Sequence, residues 1–187
     1  VIQIVIRPRK DKKWQKKSGR NLQGKKVGII GLGRIGKKVA ELLKGFDARV
    51  VASDPSPDHE WAKRNKVTIV SMTDLLKSSD IITLHLNVDK NSPFILGEKE
   101  IRLMKQGAIL LNLSRGELVD EDALYAALKE DRLAGAGLDV FSFEPYSGKL
   151  ATLDNVMMTP HIATLTAESR LEMETQAVQN LLEGLTV

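Results

Sequence analysis

The sequence predicts an α/β protein, a doubly wound and mostly parallel sheet with helices on both faces. Short apolar runs such as KVGII, DIITL and AILLNLS alternate along the chain with segments of helical period. These runs are apolar throughout, as strands buried on both faces are, and do not alternate as half-exposed strands do. Glycines at 31, 33 and 36, in GIIGLGRIG, stand between the first run and a helical pattern, where a sharp strand-to-helix turn is required.

The pattern becomes regular at Lys26. KVGII is the first strand, and RIGKKVAELLKG carries Ile35, Val39, Leu42 and Leu43 at helical spacing, with Gly45 expected to close the helix. ARVVASD is a second strand ending on an acid. DHEWAKRN reads as a short helix, and Thr73, Asp74 and the leucines after them as another helical turn before the strand DIITLHL. EKEIRLMKQG is helical, AILLNLS is a strand, and DEDALYAALKEDR is a helix with acids in its first turn, where they complement the dipole. LAGAGLDV and NVMMT are strands. Between 166 and 185, Leu171, Glu174, Val178, Leu181, Leu182 and Leu185 follow a helical period, and Glu174 interrupts the apolar stripe, so this helix is not buried all round.

Composition narrows the functional classes. At 42% apolar residues the 187-residue chain can fill a core, and with no cysteine it has no disulfides, thiolate catalysis or cysteine-held metal. No apolar run reaches the roughly 18 residues a membrane span needs. The start, VIQIVIRPRK, has the reverse order of a secretory signal, and a cytoplasmic location is expected. The net charge of +4 hides an asymmetry: residues 1–26 hold ten Lys or Arg against one acid, and the remaining 161 residues carry −5. Such a segment attracts nucleic acid or anionic membrane nonspecifically. It is read here as a solvated arm over residues 1–21, pinned by Trp14, without a specific nucleic-acid or membrane partner. Residues 22–165 then form the α/β domain and 166–187 the terminal helix.

GLGRIG alone is a weak signal, but its context is specific. It follows a strand and opens a helix, and Asp54 ends the next strand 18 residues after Gly36. Gly31 allows the tight turn, Gly33 leaves room for a pyrophosphate, and Gly36 lets helix and strand approach, which is the Rossmann-type fingerprint for a dinucleotide. The helix N-terminus adds free amides and a favourable dipole. Asp54 would accept hydrogen bonds from the adenosine ribose and repel a 2′-phosphate, which favours NAD over NADP. FAD-binding turns share the spacing, and the polar strand ends of the second half favour a nicotinamide.

Those strand ends are His85, Ser114–Arg115–Gly116, Asp139 and Pro160–His161, with Glu144 in the loop after Asp139. In a doubly wound sheet, chemistry sits beyond the carboxyl ends of the strands. His161 is a candidate acid/base, Glu144 could orient it and favour its charged form, and Arg115 could clamp a carboxylate. Spacing alone leaves each a plainer reading: a packing or capping histidine, a loop acid, a surface ion pair.

The stretches NLQGKKVGIIGLGRIGKKVA, SSDIITLHL, LMKQGAILLNLSRGELVDEDAL, GAGLDVFSFEP and TPHIA resemble the D-isomer-specific 2-hydroxyacid dehydrogenases, over about residues 14–185. The resemblance implies that Arg115 binds the substrate carboxylate and carbonyl oxygen, that His161 is the catalytic histidine and that Glu144 orients it. It further implies that Asp139 contacts the nicotinamide carboxamide side and that Gly31, Gly33 and Gly36, with the amides of Arg34 and Ile35, hold the pyrophosphate. Asp54 takes the ribose, His85 is a cofactor-side contact and His59 a surface residue. The resemblance also implies NAD as the cofactor, a small 2-oxo or 2-hydroxy acid as the substrate, no metal, and a homodimer. An idle NAD-sensing or interaction module, like co-repressor relatives of the wider group, is the alternative; retention of His161, Arg115 and Glu144 argues against it.

The chain departs from the family pattern in several places. HLNVDKNS stands where HLPLTPET is usual, so Asn87 replaces a proline and Asp89 a threonine, while Ser92 keeps a hydroxyl. Gly97 replaces an asparagine and is expected to lose a loop-to-backbone hydrogen bond. Leu165 lies where small residues are usual and is expected to reshape the approach to His161. The family also carries a second, substrate-binding domain, so the chain resembles the cofactor domain of a larger enzyme or a reduced relative.

Overall fold

A computed structural model of the chain describes residues 19–87 and 95–185. Trp14, most of the basic arm, Asp89 and Ser92 lie outside the described residues. Seven strands, β1 (Lys26–Ile30), β2 (Arg49–Ser53), β3 (Thr68–Ile69), β4 (Ile81–Leu84), β5 (Ala108–Asn112), β6 (Leu133–Leu138) and β7 (Val156–Met158), form one sheet in the order β3-β2-β1-β4-β5-β6-β7. Every pairing is parallel. Chain order reverses between β1 and β4, so the crevice beyond their carboxyl ends is the switch point where ligands bind in such sheets.

Five α-helices, α1 (Arg34–Leu43), α2 (His59–Arg64), α3 (Met72–Ser78), α4 (Glu98–Leu103) and α5 (Glu121–Lys129), flank the sheet, and a sixth, α6 (Ala167–Leu185), follows β7. The two-sided burial expected of the strands is visible within β1. Ile29 joins Leu32, Ala40, Val50, Ala52 and Ala62 in a core on the α1–α2 side. Ile30, the next residue, joins Leu75, Leu76, Ile82, Leu110, Leu124 and others in the larger core on the other face. Four helices begin at side-chain caps, Asp58 for α2, Ser71 for α3, Asp120 for α5 and Thr166 for α6, which satisfy otherwise unpaired first-turn amides.

Some local expectations are corrected. Gly45 does not close the first helix; a 3₁₀ turn (Lys44–Phe46) continues it, and Asp47 ends it in the left-handed region at φ 54°. Aspartate tolerates that region because its short side chain can bond locally. At Gly97, the residue before α4, the Glu100 carboxylate reaches back to accept from the backbone amide at 3.1 Å. α6 lies with every residue exposed or half-exposed, carrying an Arg170–Glu174 ion pair at 3.2 Å. No helix among the described residues is long and apolar enough to cross a membrane.

Candidate active site

The glycine loop between β1 and α1 sits at the switch point. Gly31 adopts φ +93°, and a Cβ there would stand 2.5 Å from the His85 carbonyl oxygen at the end of β4. A Cβ on Gly36 would collide with the Gly31 carbonyl, so α1 can seat on the loop only without one. Gly33 differs: nothing lies within 4 Å of its absent Cβ. Packing does not require a glycine there, and the open space lies before the start of α1. The helix has no side-chain cap, and its first intrahelical bond runs from the Lys37 amide to the Gly33 carbonyl at 2.9 Å. The amides of Arg34, Ile35 and Gly36 are therefore the unpaired first-turn donors that hold an anion. This cradle fits a pyrophosphate.

Asp54 follows β2 directly and ties this loop down. One carboxylate oxygen accepts from the Leu32 amide at 2.7 Å and the other from the Ser56 amide at 2.8 Å. Each oxygen retains a lone pair for a ribose hydroxyl. His85 turns its ring back to the sheet, with Nε2 3.0 Å from Thr83 Oγ1, and burial holds its pKa below the ordinary value. Its carbonyl, not its ring, faces Gly31.

The second half of the carboxyl edge carries the other candidates. His161 Nδ1 lies 2.9 Å from Glu144 Oε2, and the other Glu144 oxygen accepts from the Phe141 amide at 3.0 Å. The hydrogen bond from His161, then that from Phe141, hold the Glu144 carboxyl below the usual carboxylate range. His161 itself adopts φ 54°, a left-handed conformation uncommon for a residue with a side chain. Asp139, 2% exposed, explains how that conformation is kept. Its carbonyl accepts from the His161 amide at 2.9 Å. Its carboxylate accepts from Thr159 Oγ1 at 2.5 Å and from the Ile162 and Ala163 amides, each at 2.9 Å. Burial opposes the Asp139 charge, but these bonds together outweigh it and its pKa falls. The Asp139 side chain thus staples the histidine loop.

Arg115 lies on the neighbouring loop, exposed, its guanidinium donating to the Ser114 carbonyl at 2.7 Å. It does not touch the His161–Glu144 pair. Two features hold its loop. The Asn112 side chain, 1% exposed, donates to the Arg115 carbonyl at 2.8 Å and accepts from the Ser114 amide at 3.1 Å. The Gly116 backbone packs so closely on Phe141 that a Cβ would overlap it. Ser114 Oγ donates to the Leu84 carbonyl at 2.6 Å, joining this half of the edge to the glycine-loop half. Beside the pair is a cavity of about 540 Å³, walled by Phe141, Tyr146, Met158 and Pro160 together with Glu144 and His161.

Sequence reasoning missed Asn112, Thr159 and the structural use of Asp139. A signal existed for the first, since an asparagine closing an apolar run must find partners when buried. Leu165, beyond the turn closed by its amide on the Ile162 carbonyl, is exposed.

A family model described as D-isomer specific 2-hydroxyacid dehydrogenase, NAD binding domain, matches residues 2–163. A D-3-phosphoglycerate dehydrogenase from Archaeoglobus fulgidus is 41% identical over 185 residues, covering 95% of this chain and 35% of that protein. A glyoxylate reductase from Thermococcus litoralis is 44% identical over 165 residues, 88% of this chain and 50% of that one. The solved structure of a D-isomer specific 2-hydroxyacid dehydrogenase from Lactobacillus delbrueckii ssp. bulgaricus, in its NAD-complexed form, superposes with a TM-score of 0.84 at 32% identity. It covers 96% of this chain and 60% of that chain. The present chain therefore spans between about a third and a half of these curated relatives. With its glycine cradle, Asp54 and the doubly wound parallel sheet, it belongs to the D-isomer specific 2-hydroxyacid dehydrogenase family as an NAD-binding domain.

Proposed function

We propose that this chain is the cofactor-binding part of an NAD-dependent dehydrogenase that transfers hydride between NAD(H) and a small 2-oxo or 2-hydroxy acid. The observation that carries this reading is the 2.9 Å His161–Glu144 contact on the edge of the sheet that also bears the glycine cradle. When bound, the nicotinamide supplies the hydride for C2 of the oxo acid, or accepts it in the reverse direction.

The protein's own groups supply positioning and the proton. The guanidinium of Arg115 presents parallel donors that match a carboxylate and can polarise the adjacent carbonyl. His161, with Nδ1 engaged by Glu144, keeps Nε2 for the reacting oxygen. The protonated ring gives its proton to that oxygen during reduction, and the neutral ring removes it during oxidation. Glu144 fixes ring orientation, and Asp139, through the loop amides, fixes the backbone that carries the ring. Similarity to a glyoxylate reductase and a D-3-phosphoglycerate dehydrogenase makes glyoxylate and 3-phosphoglycerate the first substrates to try.

The side chain of His161 is 51% exposed, and no described residue closes over it. We assign residues 22–165 to the NAD domain and 166–187 to a helix leading toward a substrate domain. On this reading the 187-residue chain binds NADH but turns over slowly, because water exclusion and substrate positioning are incomplete. A homodimer through this domain is part of the same proposal and is tested by light scattering.

Titration with NADH, followed by single-turnover assays at high protein concentration with a panel of 2-oxo acids, tests both halves. His161→Asn is expected to retain NADH affinity within about twofold and to lower NADH oxidation by about 10²-fold or more. Undiminished oxidation in that variant removes His161 from the mechanism, and rapid saturable turnover by the wild-type chain removes the need for a second wall.

A further inference from the structure

The loop between β2 and α2, residues 54–58, is tied to the glycine-loop side at both ends. Asp54 holds the Leu32 amide at its start. At its end, Asp58 Oδ2 lies 2.7 Å from Lys37 Nζ, while Oδ1 accepts from the Trp61 amide at 3.0 Å. The same ammonium stands 5.3 Å from the centroid of the Trp61 ring. The hydrogen bond from Lys37, ahead of the Trp61 amide, lowers the Asp58 pKa.

Lys37 is placed where its charge matters. Its amide makes the first helical bond onto Gly33, so it lies one turn from the cradle. Of the cations opening α1, Lys38 faces Glu41 at 3.5 Å, Arg34 is exposed at the first helical position, and Lys37 is drawn to the β2–α2 loop. A part-exposed pair of this kind adds little to folding stability. Two interactions nevertheless converge on one ammonium, the ion pair and the cation–π contact, while the cap onto Trp61 holds the partner carboxylate. Their main effect is to fix where the positive charge is held.

We propose that the Lys37–Asp58–Trp61 cluster is a second determinant of cofactor choice at the adenosine end, acting beside Asp54. Asp58 retains the ammonium that would otherwise be free to swing toward a 2′-phosphate, so the loop offers a dinucleotide two carboxylates against one engaged cation. Lys37 and Asp58 are positioning residues here, and the inference rests on the assignment of this loop to NAD.

The test is a fluorescence titration of NADH and of NADPH on the whole chain at low and high salt. The proteins compared are wild type, Asp58→Asn and the double variant Asp58→Asn with Lys37→Met. Asparagine caps a helix about as well as aspartate, so Asp58→Asn keeps α2 and frees only the ammonium. The ratio of NADPH to NADH dissociation constants is expected to fall about two- to fivefold in Asp58→Asn. The effect shrinks at high salt, and the double variant returns the ratio to the wild-type value. A ratio unchanged in Asp58→Asn, or equally lowered in the double variant, overturns the inference while leaving NAD binding intact. Failure of the wild-type chain to bind NADH overturns the NAD assignment and this inference with it.

Discussion

Removing the Asp139 carboxylate tests how the left-handed histidine is maintained. In Asp139→Ala three donors lose an ionised acceptor: Thr159 Oγ1 and the amides of Ile162 and Ala163. Hydrogen bonds to a charged group contribute about 1.5–3 kcal/mol each, which sets a ceiling of roughly 5–9 kcal/mol. The ceiling is not reached, because Ile162 is 42% exposed and water can replace part of what its amide loses. A loss of about 2–4 kcal/mol is expected, or about 5–15 °C in Tm for a chain of this size. Asp139→Asn should fall between, since an amide keeps one acceptor oxygen and turns a donor toward one of the donors. Urea unfolding gives the stability, and nitrogen chemical shifts of the His161 ring report whether the Glu144 contact survives. A change below about 0.5 kcal/mol in Asp139→Ala, with the ring signal unmoved, would refute the stapling role.

Ser79→Ala is expected to stabilise the fold by about 0.5–1.5 kcal/mol in urea unfolding, because the Ser79 hydroxyl is fully buried and has no hydrogen-bond partner among the described residues. Gly116→Ala should destabilise by about 3 kcal/mol or more and displace Arg115, since the added methyl overlaps the Phe141 backbone; its unfolding midpoint checks this. A pH series separates His85 from the carboxylates. Burial lowers the His85 pKa, so the unfolded chain takes up its proton first and stability falls as pH drops below about 6.5. His85→Gln should flatten the profile just below about pH 6.5. Asp80, Asp139 and Glu144, all held below their ordinary values, contribute stability that is complete above about pH 5 and lost as pH falls through their folded-state values. That acid limb should remain in the variant.

The architecture was legible because apolar runs with two buried faces leave few alternatives to a covered parallel sheet. The exception among strands, Thr68–Ile69, is two residues long, too short for any period to register. The glycine loop was legible for a related reason: close backbone approaches at Gly31 and Gly36 demand the residue itself. Strand-end position made His161 and Glu144 candidates and resemblance supported them, but residues 144 and 161 lie on different loops and no local pattern brings them together. The structural use of Asp139 was not legible, because only the fold reveals that a turn of chain closes over it and bonds to both its oxygens. Asp58 was legible only as part of a helical segment, because its partner Lys37 comes from 21 residues earlier.

A crystal structure of the chain with NADH bound tests the central claim most directly. The account predicts the pyrophosphate against the amides that open α1, the ribose on Asp54, and the nicotinamide ring on the His161 side of the sheet edge. A nicotinamide ring lying away from His161, with the pyrophosphate off the glycine cradle, would contradict it.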